Sequence, residues 1–401
     1  DGGARWTSLR QNMPPVPVRD VQVHPRDNDL IVATHGRGIY ILDDVTPLQR
    51  ISAALSTDAQ LFDVRPATRW TVWNKDGNLG QAVWSAPNPP AGAILDYYLK
   101  SGQNGVVITI TDTSGKLVRT IRNVPGAAGV NRTEWDLRYD PSTSSGQAGV
   151  TGGGRGGRGG RGGAPVEGAV QTEEPGRGGG RFGGGGGPLV LPGEYTVTLR
   201  AGGKEDRKTV SVEMDPRVPA TAADLQAQLD AALPMRDLTS RANAAVDRAN
   251  NLITQLTALQ ERVGRPGRAR SGTSSAENDG ATGGPRALQA PPQGPASNEL
   301  ATAVDAALTA VTKLRDDDLT RPYPNMGYRQ YPRIREEITS LSGSISRSPN
   351  RPTDGETLRM KELTEELDRA VAALNRIQTD QIGKINDMMK NAPFIVTETI
   401  R

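Results

Sequence analysis

The side chains able to do acid–base, nucleophilic or metal chemistry are sparse in this chain. It has two histidines, His24 and His35, and no cysteine in 401 residues. Without thiols there can be no disulfide, no thiolate zinc site and no cysteine nucleophile. His24 precedes a proline at a turn, and His35 opens the turn "GRG"; turn or packing roles account for both. A serine nucleophile needs a base within hydrogen-bond reach, and no G-x-S-x-G elbow is present to place one. Asp43 and Asp44 could suggest the paired carboxylates of glycoside hydrolysis. Adjacent strand residues point to opposite faces, however, so the two are poor partners in one site. "DNDL" at 27–30 lacks the length and spacing of a calcium loop and reads as a β-turn. "SGKL" at 114–117 and "GGKE" at 202–205 lack the flanking spacing of a phosphate loop and fit hairpin turns. Asn131-Arg132-Thr133 is formally a glycosylation acceptor. No catalytic residue and no metal-ligand set is assigned, and no cofactor is implied.

The elements that must position any site are diluted by low-complexity sequence. Apolar residues make up 35% of the chain and aromatics 4%, with 47 Gly and 29 Pro. Such figures describe folded parts joined by loops. No apolar run is long enough to span a membrane. A formal charge of +3 is too small to argue for nucleic acid.

Three short strands follow one another over 18–43. "VRDVQV" alternates, "LIVATH" is near-continuous as a doubly buried strand would be, and "GRG" turns into "IYIL". A second all-β unit is expected over 82–215, joined to the first by a connector at 51–81. Its hairpins turn at Ser114-Gly115 and Gly202-Gly203. In "NRTEWDLRYD" alternation puts Trp135, Leu137 and Tyr139 on one face. The pattern suggests an immunoglobulin-like sandwich.

The sandwich is interrupted by a Gly/Arg-rich insertion at 141–187, expected to be disordered because it cannot bury enough apolar surface. Its arginines, Arg155, Arg158 and Arg161, could neutralise phosphates. With one aromatic, Phe182, and with Glu167, Glu173 and Glu174 nearby, RNA binding stays the lesser alternative.

From 221 the pattern is helical, ending near 391 before a tail at 392–401, with a second disordered loop expected at 264–296. Thr221 with Asp224 and Thr353 with Glu356 resemble capping boxes, and Ser297 can cap a helix carrying Leu300, Val304, Leu308 and Val311. Pro234 is expected to kink or divide the first helix. Amphipathic stripes with polar backs predict an antiparallel helical bundle. The fold class is therefore multidomain, all-β first and helical after.

"VRDVQVHPRDNDLIVATHGRGIYILDDVTPL" resembles the closing blade of bacterial sortilin-type β-propellers with neuraminidase-like repeats, often labelled glycosyl hydrolases. "DGGARW" matches the back half of the Asp-box, S-x-D-x-G-x-x-W, through Asp1, Gly3 and Trp6. "WTSL" would then be the outer strand of the preceding blade. "NPPAGA", "WDLR" and "PGEYTV" are similar to the immunoglobulin-like module of flagellar hook-capping proteins, which that family carries next.

The resemblance implies a last blade at 1–50, a secreted or periplasmic location, and blades lying upstream of this chain. Gly36, Gly38, Asp43 and Asp44 become structural residues of the blade, the two aspartates in its hairpin. His35, Arg19, Arg37 and Tyr40 become possible ligand contacts, with a protein or carbohydrate as partner. The implied role is non-catalytic: closing a propeller and presenting binding surfaces. The alternative is a sialidase-like hydrolase whose site lies mostly in the upstream blades.

Overall fold

The computed structural model describes residues 13–71, 89–143, 186–263, 295–323 and 330–389, with Ala4, Trp6, Ser8 and Leu9. The chain runs through β-sheets in its N-terminal part and then through helices. It divides into two compact units, and the boundary falls between Leu229 and Asp230. Most of 141–187, nearly all of 264–296 and the tail at 392–401 lie outside the described residues, so the expectations made for them do too.

The first unit opens with an antiparallel meander, β1 (Val18–Val23), β2 (Leu30–Thr34) and β3 (Ile39–Leu42). The β2–β3 turn uses Gly36 at φ +75° and Gly38 at φ +83°, backbone that only glycine adopts freely. The turn is closed by the Thr34 hydroxyl donating to the Gly38 carbonyl at 2.6 Å. Among the described residues, none of Trp6, Ser8 and Leu9 belongs to a strand. β2 is only half-buried, not doubly buried, and β1 is exposed along its whole length. Nothing described covers this sheet on both faces.

α1 (Thr46–Ala54) follows, then β4 (Ala59–Leu61) and β5 (Ala67–Arg69). The expected connector is thus, over its described part, built into the sheets. β4 pairs with β6 (Ala93–Leu99), and β5 runs parallel to the end of β11 (Lys204–Met214). Strands of three residues are too short to show a period, which is why the sequence pattern hides them. Ala54, Phe62 and Tyr98 pack together, with Ile51 against them, so α1 covers part of β6.

Two sheets make up the rest. The three-stranded one has the order β4-β6-β9 (β9, Gly129–Trp135). The five-stranded one has the order β5-β11-β10-β7-β8, with β7 Val107–Asp112, β8 Leu117–Ile121 and β10 Gly193–Ala201. β6 is buried at every position, as a strand covered on both faces must be. Trp135 of β9 and Tyr195 of β10 meet edge to face, centroids 5.3 Å apart. The Trp135 indole N–H donates to the Arg138 carbonyl at 3.0 Å, satisfying its one polar atom. Trp135, Leu137 and Tyr139 are all buried as expected. They do not share one strand, however: β9 stops at Trp135 and Leu137 turns left-handed at φ 55°.

In the second unit α2 continues beyond Asp230 to Val263. α2 (Ala222–Val263) carries Pro234 inside it and is not divided. A mid-helix proline costs about 3 kcal/mol, but Ala232, Met235, Leu238 and Ala242 are all buried around it. Burying side chains of this kind is worth about 1.5–3 kcal/mol for each large one, enough to hold the helix through the proline. α3 (Pro295–Leu314) begins before Ser297, with proline in the first turn where its missing N–H costs nothing.

α4 (Ile334–Arg347), α5 (Asp354–Ile377) and α6 (Gly383–Met388) complete the set. α5 starts at the expected capping box: Thr353 Oγ1 accepts from the Glu356 N–H at 3.2 Å, and the Glu356 carboxylate accepts from the Thr353 N–H at 3.0 Å. The helices share one apolar core that includes Leu252, Leu256, Val304, Val311, Ile338, Leu363, Leu367 and Leu374.

Truncating Trp135 to alanine should cost about 3–5 kcal/mol. Glu134→Ala, on the exposed side of β9, should stay within about 0.5 kcal/mol. Urea unfolding of the full chain, followed by near-ultraviolet circular dichroism, would show this. Equal midpoints for the two variants would contradict the packing described. The full chain is needed because a fragment covering 82–215 lacks β4 and β5.

Candidate functional site

The two ends of the β1–β3 sheet hold different residues. At the turn end, Arg19 Nη2 lies 3.4 Å from His35 Nδ1, with Arg37 exposed in the turn. Tyr40 is half-buried and stands opposite Val32. Of the four residues expected to contact a ligand, the structure therefore brings only Arg19 and His35 together. Both are exposed, and no carboxylate joins them among the described residues. Trp6 is exposed, while Asp1 and Gly3 lie outside the described residues.

Asp43 and Asp44 lie at the other end of β3, roughly 13 Å away along a four-residue strand. They are not in a hairpin. β3 runs into α1, and Asp44 takes the left-handed conformation, φ 47°, at the joint. Aspartate tolerates this because its side chain can bond the local backbone: Asp44 Oδ1 accepts from the Thr46 N–H at 3.0 Å. Val45-Thr46-Pro47 then starts a helix, Pro47 sitting in the first turn. That proline was the sequence signal for a helix start here.

Around the joint the fold assembles a cluster that sequence spacing did not reveal. Asp29 Oδ1 accepts from the Asp44 N–H at 2.9 Å and from Arg65 Nη1 at 3.2 Å. Arg65 Nη1 also donates to the Asp27 carbonyl at 2.8 Å. Asp96 and Arg132 face each other across β6 and β9 and form a two-pronged pair, Nε to Oδ1 at 2.8 Å and Nη2 to Oδ2 at 2.9 Å. The same Nη2 donates to the Asp44 carbonyl at 3.0 Å. One guanidinium thus ties the sheet to the β3–α1 joint.

His24 and Asn28 hold the neighbouring turn. His24 Nδ1 accepts from the Asp27 N–H at 3.2 Å, and Asn28, at φ 55°, donates to Thr46 Oγ1 at 2.9 Å. This is the turn role expected for His24 and for "DNDL" at 27–30.

The electrostatics follow from burial. Desolvation, with the Asp29 and Asp44 carboxylates adding to it, raises the Asp43 carboxyl above its ordinary value against the pull of Arg132 and Arg65. Asp96 is pushed up by burial and drawn back by Arg132. The arrangement holds backbone and charge in place. Among the described residues no group of three or more His, Asp or Glu side chains is placed to hold a metal, and no helix is long and apolar enough to cross a membrane.

Asp43 gives a signed pH prediction. A carboxyl raised in the folded state destabilises the fold when ionised, so stability rises as pH falls through its raised folded value. Asp43→Asn should therefore be more stable than the parent at pH 7. The gap should close as pH drops to the ordinary carboxylate range. Thermal melts across pH 3–8 would read this, and a gap that widened with acid would refute the assignment.

No protein-family model matches the chain, and no curated protein matches it. Among solved structures, CopC from Methylosinus trichosporium OB3b aligns at 12% identity over 40% of this chain and 98% of that one. The TM-score is 0.18, too low to assign a fold.

Proposed function

We propose that the chain is a non-catalytic interaction region of a secreted β-propeller protein, closing the propeller and presenting protein- or glycan-binding surfaces. The observation that carries this reading is the β1–β3 sheet. Its register puts Val21, Val23, Val32 and Leu42 on one face, and Ile31, Ala33, Ile39 and Ile41 on the other. Both faces carry apolar residues, the second alongside Asp20 and Gln22, yet Val21 is 55% exposed, Val23 48%, Ile39 68% and Ile41 60%. An antiparallel sheet of a finished fold usually keeps one face polar. Apolar surface on both faces suits a sheet stacked between neighbours, as a propeller blade is.

In this reading the sheets of β4–β11 form the immunoglobulin-like module and the helices an antiparallel bundle. The joint held by Arg132 and Asp29 then fixes the blade's exit. The resemblance to sortilin-type propellers supplies the family, the location and the class of partner.

The test compares this chain with a longer polypeptide carrying the native upstream sequence. Amides of 18–42 should exchange more slowly in the longer protein, and its binding of an apolar dye should fall. Equal exchange and equal dye binding would overturn the blade reading. The chain alone should turn over no aryl glycoside. Turnover abolished by a single substitution within it would favour the hydrolase alternative.

A further inference from the structure

A sheet edge is where a fold can take on another strand, because its outward N–H and C=O groups lack partners. In the β1–β3 meander two bonds fix which groups point outward. The His24 N–H donates to the Asp29 carbonyl at 2.8 Å, and the Thr34 N–H to the Gly38 carbonyl at 3.2 Å. Bonded pairs alternate along an antiparallel ladder. With Val32 opposite Tyr40 and Leu30 opposite Leu42, the main-chain groups of Tyr40 and Leu42 therefore face β2. Those of Ile39 and Ile41 point the other way, along the free edge of β3.

Other edges of this unit are guarded. On β1 the same alternation sends the Val21 N–H outward, and Asp20 Oδ1 accepts from it at 2.9 Å. β1 also carries a register shift between Val18 and Asp20. On β8, the last strand of the five-stranded sheet, Asp140 Oδ1 accepts from the Thr120 N–H at 3.2 Å, and the Asp140 N–H donates to the Val118 carbonyl at 3.0 Å. Bulges and charges of this kind keep further strands away. β3 has neither. It reads Ile-Tyr-Ile-Leu and its ladder to β2 is regular. Among the described residues no other strand pairs with its outer edge.

The edge is also its own complement. Isoleucine sits one residue either side of Tyr40. Three residues either side sit Arg37, exposed in the turn, and Asp43, at the joint. Arg65 and Arg132 leave the Asp43 carboxyl above its ordinary value, so one more cation near it is favourable.

We propose that a second copy of the chain adds to this edge, β3 pairing antiparallel with β3 about a two-fold axis at Tyr40. Ile39 of each copy then stands opposite Ile41 of the other, each bonded pair exchanging two hydrogen bonds. The isoleucine side chains meet on one face of a continuous sheet, where apolar cross-strand pairs add stability. The turn of one copy, with Arg37, lies beside the joint of the other, with Asp43. Moving the axis to Ile39 sets Ile41 opposite Arg37, and moving it to Ile41 sets Ile39 opposite Asp43, so the register at Tyr40 is favoured. The edge rather than the faces carries this inference, so it does not depend on the blade reading.

Sedimentation velocity of the full chain, from micromolar to about millimolar concentration, should show a monomer–dimer equilibrium. Ile41→Pro removes an N–H that makes no bond to β2, a loss an edge strand tolerates. Each copy loses one hydrogen bond, which should weaken the dimer roughly thirtyfold. Ile41→Val keeps the N–H and the branching and should keep the dimer. Circular dichroism would verify that the proline variant stays folded. Cross-linking reads the register independently, because the chain has no cysteine. Tyr40→Cys would set two Cα atoms about 4.5 Å apart across the axis, within disulfide reach. Leu42→Cys would set them about 13 Å apart along the strands, beyond it. Air oxidation should give a covalent dimer from the first variant and none from the second. A parent monomeric throughout, a dimer indifferent to Ile41→Pro, or equal cross-linking of the two cysteine variants would overturn the proposal.

Discussion

One guanidinium holds the first unit together. Arg132 reaches across two strands to Asp96 and turns its remaining donor to the Asp44 carbonyl. A buried carboxylate cannot stay charged without such a partner, and the carbonyl of a left-handed residue at a strand–helix joint needs a donor. Both needs are met by one planar, forked cation, which lysine could not replace. Asp29 completes the joint from the other side by accepting from the Asp44 N–H. The path from β3 into α1, and so the covering of β6 by Ala54, follows from that anchoring.

The β1–β3 sheet shows the opposite condition. Its hydrogen bonds are made and its turn glycines suit their conformation, yet apolar side chains on both faces meet solvent. Elsewhere in the unit, β6 carries apolar residues on both faces and is buried throughout. The contrast is one of neighbours: β6 lies between α1 and the facing sheet, whereas β1–β3 has no such cover among the described residues. That difference separates a segment whose packing is complete from one whose apolar side chains stay in solvent.

In the helical unit, stability and accessibility are divided between faces. The inward face is a continuous aliphatic core. On the outer face Arg359 binds carboxylates from two helices, Glu337 of α4 and Glu362 and Glu366 of α5. Its own basicity is raised by those partners. Such a network outdoes isolated surface pairs, which are worth little. It ties α4 to α5.

Local chemistry was legible wherever a residue's own conformational limits decided the outcome. Gly36 and Gly38 had to turn, Thr353 with Glu356 had to start a helix, and the leucine spacing of α5 had to face a core. The burial of Trp135 followed from alternation alone. Other features depended on partners distant in sequence. Nothing in "ATR" or "AQL" shows a strand until β11 and β6 lie alongside. Pro234 reads as a break until the side chains around it are buried. Asp43 and Asp44 read as a hairpin because Asp29, Arg65 and Arg132 are 15, 21 and 88 residues from Asp44 in the chain, and only folding brings them to the joint. Sequence by itself determined where the chain could turn, start helices and bury apolar faces, because those follow from single-residue sterics and periodicity. Tertiary structure decided which charges meet, because a pair across strands has no period to read.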